Sequence, residues 1–378
     1  MTAGIYLHIP FCVKKCLYCD FISGTNSKET IENYINSMVN EIESTDIKQD
    51  VDSVFIGGGT PSSIPPEYIA KVVDCLRIKL GNRFLKDSEI TIETNPKTIS
   101  ENALKIYHDA GINRISMGLQ SCIDSELKSL GRIHTFKDFL DSYNIATRYF
   151  DNINIDLISG IPHQTMDSFK ESLKKVGDLN PNHISVYSLI IEEGTPFYEM
   201  YGPKGKFKDS LPNEDIDREM YHFTKEYLST LGYNRYEISN YAKENKESRH
   251  NLKYWKGNNY YGFGIAAASL VDNIRYKNTD NLKEYIDAMG SPEKIRRTQE
   301  ILDIEDCMSE YMILGLRLIK GVSPKEFKAR FNEDMENKYG DILNKYLNMG
   351  LLHTTIDGNF ALTDKGLDVS NSVMEEFL

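Results

Sequence analysis

Cys12-Val-Lys-Lys-Cys16-Leu-Tyr-Cys19 puts three thiols within eight positions of one segment. Three thiolates in one loop make a soft, anionic site, suited to zinc or to an iron–sulfur cluster. A structural zinc ion is closed by four ligands. No fourth cysteine lies nearby, and His8 sits within the preceding strand pattern. A [4Fe–4S] cluster normally takes four thiolates. Three local ligands therefore leave one iron open to a small molecule, unless Cys75, Cys122 or Cys307 folds back. Each of those three stands alone in an apolar or helical context and reads as a buried structural thiol. The second constellation is His250-Asn-Leu-Lys-Tyr254-Trp255. On a helix, His250 and Tyr254 share a face, beside the chain's only tryptophan. An imidazole among aromatics can ligate and sandwich a haem, or it can be a packed histidine.

These residues need elements to hold them. Short β-rich runs alternate with longer helical runs through the first 230 or so residues. Strands are expected at 4–9, 51–56, 89–93, 114–119, 153–157 and 183–189. Helices are expected at 28–44, 65–80, 100–110, 135–150, 166–179 and 215–231. Six repeated βα units imply a parallel α/β sheet. They fit a partial (β/α)6 TIM-like barrel, with an open doubly wound sheet as the alternative. After Gly232 the pattern changes, and 236–297 is rich in Tyr, Asn, Arg and Gly. Helices at 307–319, 324–331 and 339–349 then precede LLHTTIDGNFALTDKG. That stretch reads as a hairpin turning at Asp357-Gly358, followed by a terminal helix. Together they suggest a small α+β winged-helix-like domain.

Placement along the strands matters more than any single motif. In βα barrels the active site lies where strands end and βα loops begin. The cysteine loop follows the first expected strand, and Gly57-Gly58-Gly59-Thr60-Pro61 follows the second. Glu93 ends the third, Gln120 follows the fourth and Asp156 closes the fifth. Five separate segments converge on one face.

Composition excludes other classes. The 44 basic against 56 acidic residues give a net charge of -12, which disfavours a bare electrostatic nucleic-acid binder. The longest apolar run, Phe263 to Val271, is too short for an integral membrane segment. No secretory signal is visible at the N-terminus. The clustered cysteines fit a reducing, cytoplasmic setting; peripheral membrane contact stays open.

CxxxCxxC with Tyr18 before the last cysteine resembles the radical S-adenosylmethionine (SAM) superfamily. IYLHIPFCVKKCLYCDF is similar to the group holding oxygen-independent coproporphyrinogen III oxidase and the haem chaperone HemW. The likeness continues at GGGTPS (57–62), ETNP (93–96), RISMGLQS (114–121), DLISGIP (156–162), HNLKYW (250–255) and ALTDKG (361–366). It implies a radical SAM partial barrel over 1–235 and a barrel-mouth segment over 236–297. The winged-helix-like domain would occupy 298–378. It implies cluster ligation by Cys12, Cys16 and Cys19, with SAM chelating the open iron. Tyr6, Tyr18, Gly58, Gly59, Thr60, Glu93, Gln120, Arg132, Asp156 and Ile190 match cofactor-contacting positions. One or two SAM molecules are compatible with that set. Electron transfer to the sulfonium would then cleave SAM to methionine and a 5′-deoxyadenosyl radical, the reductant being of the flavodoxin or ferredoxin type.

Two features choose the branch. The oxidase pattern has a further cysteine two positions after the third, where this chain has Phe21. HNLKYW carries the HNxxYW signature of the HemW branch. The resemblance thus implies a chaperone that binds haem and delivers it to apo-haemoproteins, without coproporphyrinogen decarboxylation. No catalytic residue is assigned. His250 would touch a partly exposed haem near the barrel mouth, with the C-terminal domain covering it or docking the acceptor. The alternatives are the oxidase, another tetrapyrrole enzyme that methylates or opens haem, and a structural zinc protein.

Overall fold

The structure, a computed structural model, describes residues 2–378. Six strands follow the expected order: β1 (Ala3–Ile9), β2 (Val51–Gly58), β3 (Phe84–Thr94), β4 (Arg114–Gln120), β5 (Ile153–Ser159) and β6 (His183–Ser188). Each pairs in parallel with the next. Helices Lys28–Ser44, Pro66–Leu80, Glu101–Asp109, Phe136–Ala146, Met166–Leu179 and Glu214–Thr230 lie between or after them. Ser27, Ser100, Thr135, Thr165 and Asn213 cap five of these, each accepting a bond from a first-turn N–H. Such a cap contributes about 1 kcal/mol.

Strand alternation separates two environments. One face of β1, β3, β4 and β5 is aliphatic: Ile5, Leu7, Ile90, Ile92, Ile115, Met117, Ile153 and Ile155 are buried in the main core. The other face carries Tyr6, His8, Thr91, Glu93, Arg114, Ser116, Asn154 and Asp156. Parallel strands buried on both sides usually read as continuous aliphatic runs. Here the second face is polar, so it lines a chamber.

The segment 236–297, expected as a barrel-mouth segment without strands of its own, extends the sheet. It supplies β8 (Asn240–Ala242), β9 (Tyr260–Phe263), β10 (Ala268–Val271) and β11 (Ile274–Asn278), after β7 (Asn234–Arg235), and β12 (Arg296–Ile301) carries the sheet four residues past the expected boundary at 297. The twelve-stranded order is β12-β11-β10-β9-β1-β2-β3-β4-β5-β6-β8-β7. β9 runs parallel to β1, which makes seven adjacent parallel strands rather than six. Among the described residues no pairing joins the two ends of the sheet.

A second core gathers Met312, Phe327, Leu343 and Phe377 from helices Ile304–Gly315, Pro324–Phe331, Met335–Asn348 and the terminus. The hairpin β13 (Leu352–Thr354) and β14 (Phe360–Leu362) packs with it. Gly358 in its turn has φ 80°. The first and third of these helices begin three and four residues earlier than periodicity suggested, at caps Asp303 and Asp334.

Candidate functional site

The loop after β1 is closed at its base by Cys12 N–H to Gly24 O and Gly24 N–H to Pro10 O, both 3.0 Å. The loop after β2 is tied to it: Gly59 N–H donates to Ile9 O at 2.9 Å and Thr60 N–H to Phe11 O at 2.8 Å. Glycine is required here. Gly58 has φ 115°, and a Cβ on Gly59 would stand 2.9 Å from Cys12 Sγ. The backbone therefore lies flat against the cysteine loop and leaves room in front of it.

A cavity of about 450 Å³ opens at this end of the sheet, and Cys12, Cys16 and Cys19 all line it. Among the described residues no three His, Cys, Asp or Glu side chains stand close enough to hold a single metal ion. Three thiols lining one cavity fit a cluster, in which each thiolate binds a different iron. The cavity wall also holds Tyr18, Gly58, Gly59, Thr60, Glu93, Gln120, Arg132 and Asp156, with Ile190 on the rim and 67% exposed.

The polar groups are individually fixed. Arg132 reaches Cys16 Sγ with Nη1 at 3.5 Å, and Nη2 donates to Gly118 O at 2.6 Å and to Asn95 Oδ1. Its Nε has no partner. Tyr18 lies beside Arg132, and burial raises its phenol above the usual range. Gln120 has φ 75° and stands where the β4–β5 register shifts. A bulge of this kind re-aims a side chain beside a site. Glu93 Oε2 accepts from Gly58 N–H at 3.1 Å. Burial and the neighbouring Asp156 charge push its carboxyl up to about 8.

Asp156 is raised in the same direction, chiefly by burial. It is pinned by Asn154 Nδ2 at 2.7 Å and Ser116 Oγ at 3.2 Å. Asn154 in turn meets His183 Nδ1 at 2.6 Å. Asn95, Ser116, Asn154 and His183 were not singled out from sequence. Arg114 was missed too: it is 2% exposed, lines the cavity and has an unpartnered Nε. The available signal was the alternation of polar residues along β3 to β6, which a count of strand-end motifs does not use.

Two expected site residues are placed elsewhere. Tyr6 stands below the cavity, its hydroxyl 3.0 Å from His8 Nδ1 and its ring stacked near Phe55. The larger correction concerns His250, expected at the mouth as a haem contact. Helix Arg249–Trp255 closes the opposite end of the sheet, where the strands begin. A Cβ on Gly4 would be 3.1 Å from the His250 ring. His250 Nδ1 lies 3.2 Å from Ser53 Oγ and Nε2 lies 2.9 Å from Tyr254 Oη. The residue is 1% exposed, and burial lowers its pKa to about 3. Both nitrogens are occupied, so no lone pair is available to iron in this arrangement. The physical reason is the small Gly4–Ser53 notch, which admits the ring.

Comparisons with known proteins bear on this site. A family model described as the radical SAM superfamily matches residues 6–176, and one described as the HemN C-terminal domain matches 302–369. A heme chaperone HemW of Lactococcus lactis is 36% identical over 99% of this chain and 96% of that one. Proteins of that name from Bacillus subtilis and Escherichia coli are 36% and 31% identical, each over 99% of this chain and 98% of the relative. In fold, the chain is similar to the coproporphyrinogen III oxidase HemN of Escherichia coli. The TM-score is 0.85 at 23% identity, covering 100% of this chain and 90% of that one.

Proposed function

The chain belongs to the heme chaperone HemW family within the radical SAM superfamily, and on that premise we propose that it binds haem and delivers it to apo-haemoproteins. In this reading Cys12, Cys16 and Cys19 hold a [4Fe–4S] cluster and SAM occupies the adjoining cavity. The observation that carries the cofactor part is the Gly59 backbone against Cys12, with Arg132, Glu93, Gln120 and Asp156 facing the same space. When bound, the cluster and SAM supply one-electron chemistry at the sulfonium.

The chain's own residues bind and orient. Gly58 and Gly59 leave room for the methionine end. Glu93 and Asp156 accept hydrogen bonds from ribose hydroxyls or the ammonium. Arg132 supplies positive charge toward the carboxylate while fixing Cys16. Tyr18 and Ile190 cover the cofactor from the loop side. A flavodoxin- or ferredoxin-type donor fits as reductant, and a cytoplasmic setting fits the three thiols. No described helix is long and apolar enough to cross a membrane.

Phe21 carries the choice against decarboxylation. It presents a phenyl ring at the cavity where the oxidase pattern has a thiol. The deciding experiment is an anaerobic assay of reconstituted protein with coproporphyrinogen III, SAM and a reductant, beside a haem titration. Haem binding without CO2 release is expected. Release of CO2 at about one per second or faster would replace the chaperone reading with the oxidase.

A further inference from the structure

With His250 buried, the haem reading lacks a place for its cargo, and the cavity rim offers one. Four large apolar side chains stand in water around the mouth: Val13 at 57% exposure, Phe21 at 60%, Ile133 at 40% and Ile190 at 67%. They come from three loops, after β1, β4 and β6, and all four border the cavity. Single exposed apolar residues are ordinary. A set grouped around one opening and edged by charge marks a binding surface.

Charge gives that surface a direction. Lys14 and Lys15 extend from the cysteine loop, and Lys15 Nζ donates to Phe21 O at 2.8 Å, beside the exposed ring. The acidic groups on the rim are Asp20, on the same loop, and Glu192, after β6. Carboxylates on a ligand are thus favoured toward Lys14 and Lys15 and disfavoured toward Glu192. Size decides depth. A cavity of about 450 Å³ is within the range of small-molecule sites. With SAM in its inner part, beside Glu93 and Asp156, a flat macrocycle lies across the opening.

We propose, resting on the haem reading above, that haem lies flat across the mouth on Val13, Phe21, Ile133 and Ile190, its propionates toward Lys14 and Lys15. His134 and His183, the histidines that line the cavity, are buried. His134 Nε2 is 3.2 Å from Leu119 O, and His183 is bonded through both nitrogens. The iron therefore gains no histidine from this site. Haem is held by apolar contact and carboxylate pairing, which suits a cargo that must leave.

The test uses the full chain with its cluster reconstituted, titrated with haem and followed by the Soret band. Val13→Ser with Phe21→Ser, and separately Ile133→Ser, should weaken haem binding roughly ten- to a hundredfold, with iron content and SAM affinity retained. Haem dimethyl ester should bind wild type more weakly than haem does. Lys14→Gln with Lys15→Gln should remove that difference. His250→Gln should leave haem affinity unchanged. If the double variant loses its cluster, Ile133→Ser, outside the cysteine loop, decides. Wild-type affinity in the rim variants would overturn this site and leave the haem reading standing. Failure of wild type to bind haem would remove the haem reading itself.

Discussion

Glu89 and Glu93 lie on the same strand, four residues apart and on the same face, and their surroundings differ completely. Glu89 is at the end closed by helix Arg249–Trp255, where its oxygens accept Arg249 N–H at 3.2 Å and His250 N–H at 3.3 Å. Glu93 is at the cysteine end, where it accepts one backbone bond from Gly58 and faces the cavity. The same contrast holds for the ligand-type side chains. The three thiols line open space, while the His250 ring is stacked on Phe55 at 5.4 Å and bonded through both nitrogens. Residue type does not separate a binding group from a packing group here. Position along the strand does, because the loops at one end leave a cavity in front of the polar groups, whereas the capped helix at the other end packs directly onto them.

The largest effect that can break this comparison concerns the thiols. Replacing Cys12, Cys16 and Cys19 with Ala should abolish iron and sulfide incorporation. Replacing the buried Cys75, Cys122 and Cys307 together should leave about four irons per chain. Loss of iron in the second variant would place a remote thiol on the cluster and undo the contrast at its centre.

His250→Ala should cost about 3 kcal/mol of stability in denaturant unfolding, since it strands Ser53 and Tyr254 hydroxyls in a buried gap. Its iron content and haem spectrum should stay as in wild type. The sign of its pH dependence also follows. Burial lowers the pKa of the folded ring to about 3, against about 6.5 when unfolded. Its contribution is therefore fully present above the unfolded value and falls away as pH drops through that window. His250→Gln should flatten the acid limb of the stability profile. A Soret change in either variant would return His250 to the haem site.

Glu93 sharpens the other end. Its carboxyl is pushed up to about 8; protonated, it still accepts a bond through its carbonyl oxygen, but only the ionised form pairs with the SAM ammonium. Calorimetric SAM affinity should rise roughly tenfold between pH 6 and pH 7 and level off above about 8. Glu93→Gln should weaken binding and remove the slope. An unchanged slope in that variant would take Glu93 out of the SAM site.

The smallest effect lies behind helix Arg249–Trp255. Arg317 stacks over Trp255 at 4.3 Å and joins the second core to the helix. Arg317→Lys keeps the charge and loses the planar stack, so a cost of about 0.5 kcal/mol is expected. A much larger loss would mean that helix Arg249–Trp255 depends on the C-terminal helices for its place.

The sequence by itself determined the six βα units, the thiol triplet and the strand-end placement of Gly58, Gly59, Glu93 and Gln120, whereas Asp156, expected to close its strand, stands in the middle of β5 with three paired residues after it. Each of these is written in local periodicity and spacing, which act within a few residues. The terminal hairpin was legible for the same reason, its turn being set by Asp357-Gly358. Only the tertiary structure decided the strands within 236–297. β9 forms by pairing with β1, more than 250 positions away in the chain, and carries no strong period of its own. It also decided the fate of His250, because Gly4, Ser53 and Glu89 come from three distant strands. A histidine among aromatics reads the same in sequence whether it faces iron or a serine. What separates the two is which end of the sheet the helix closes, and long-range packing settles that.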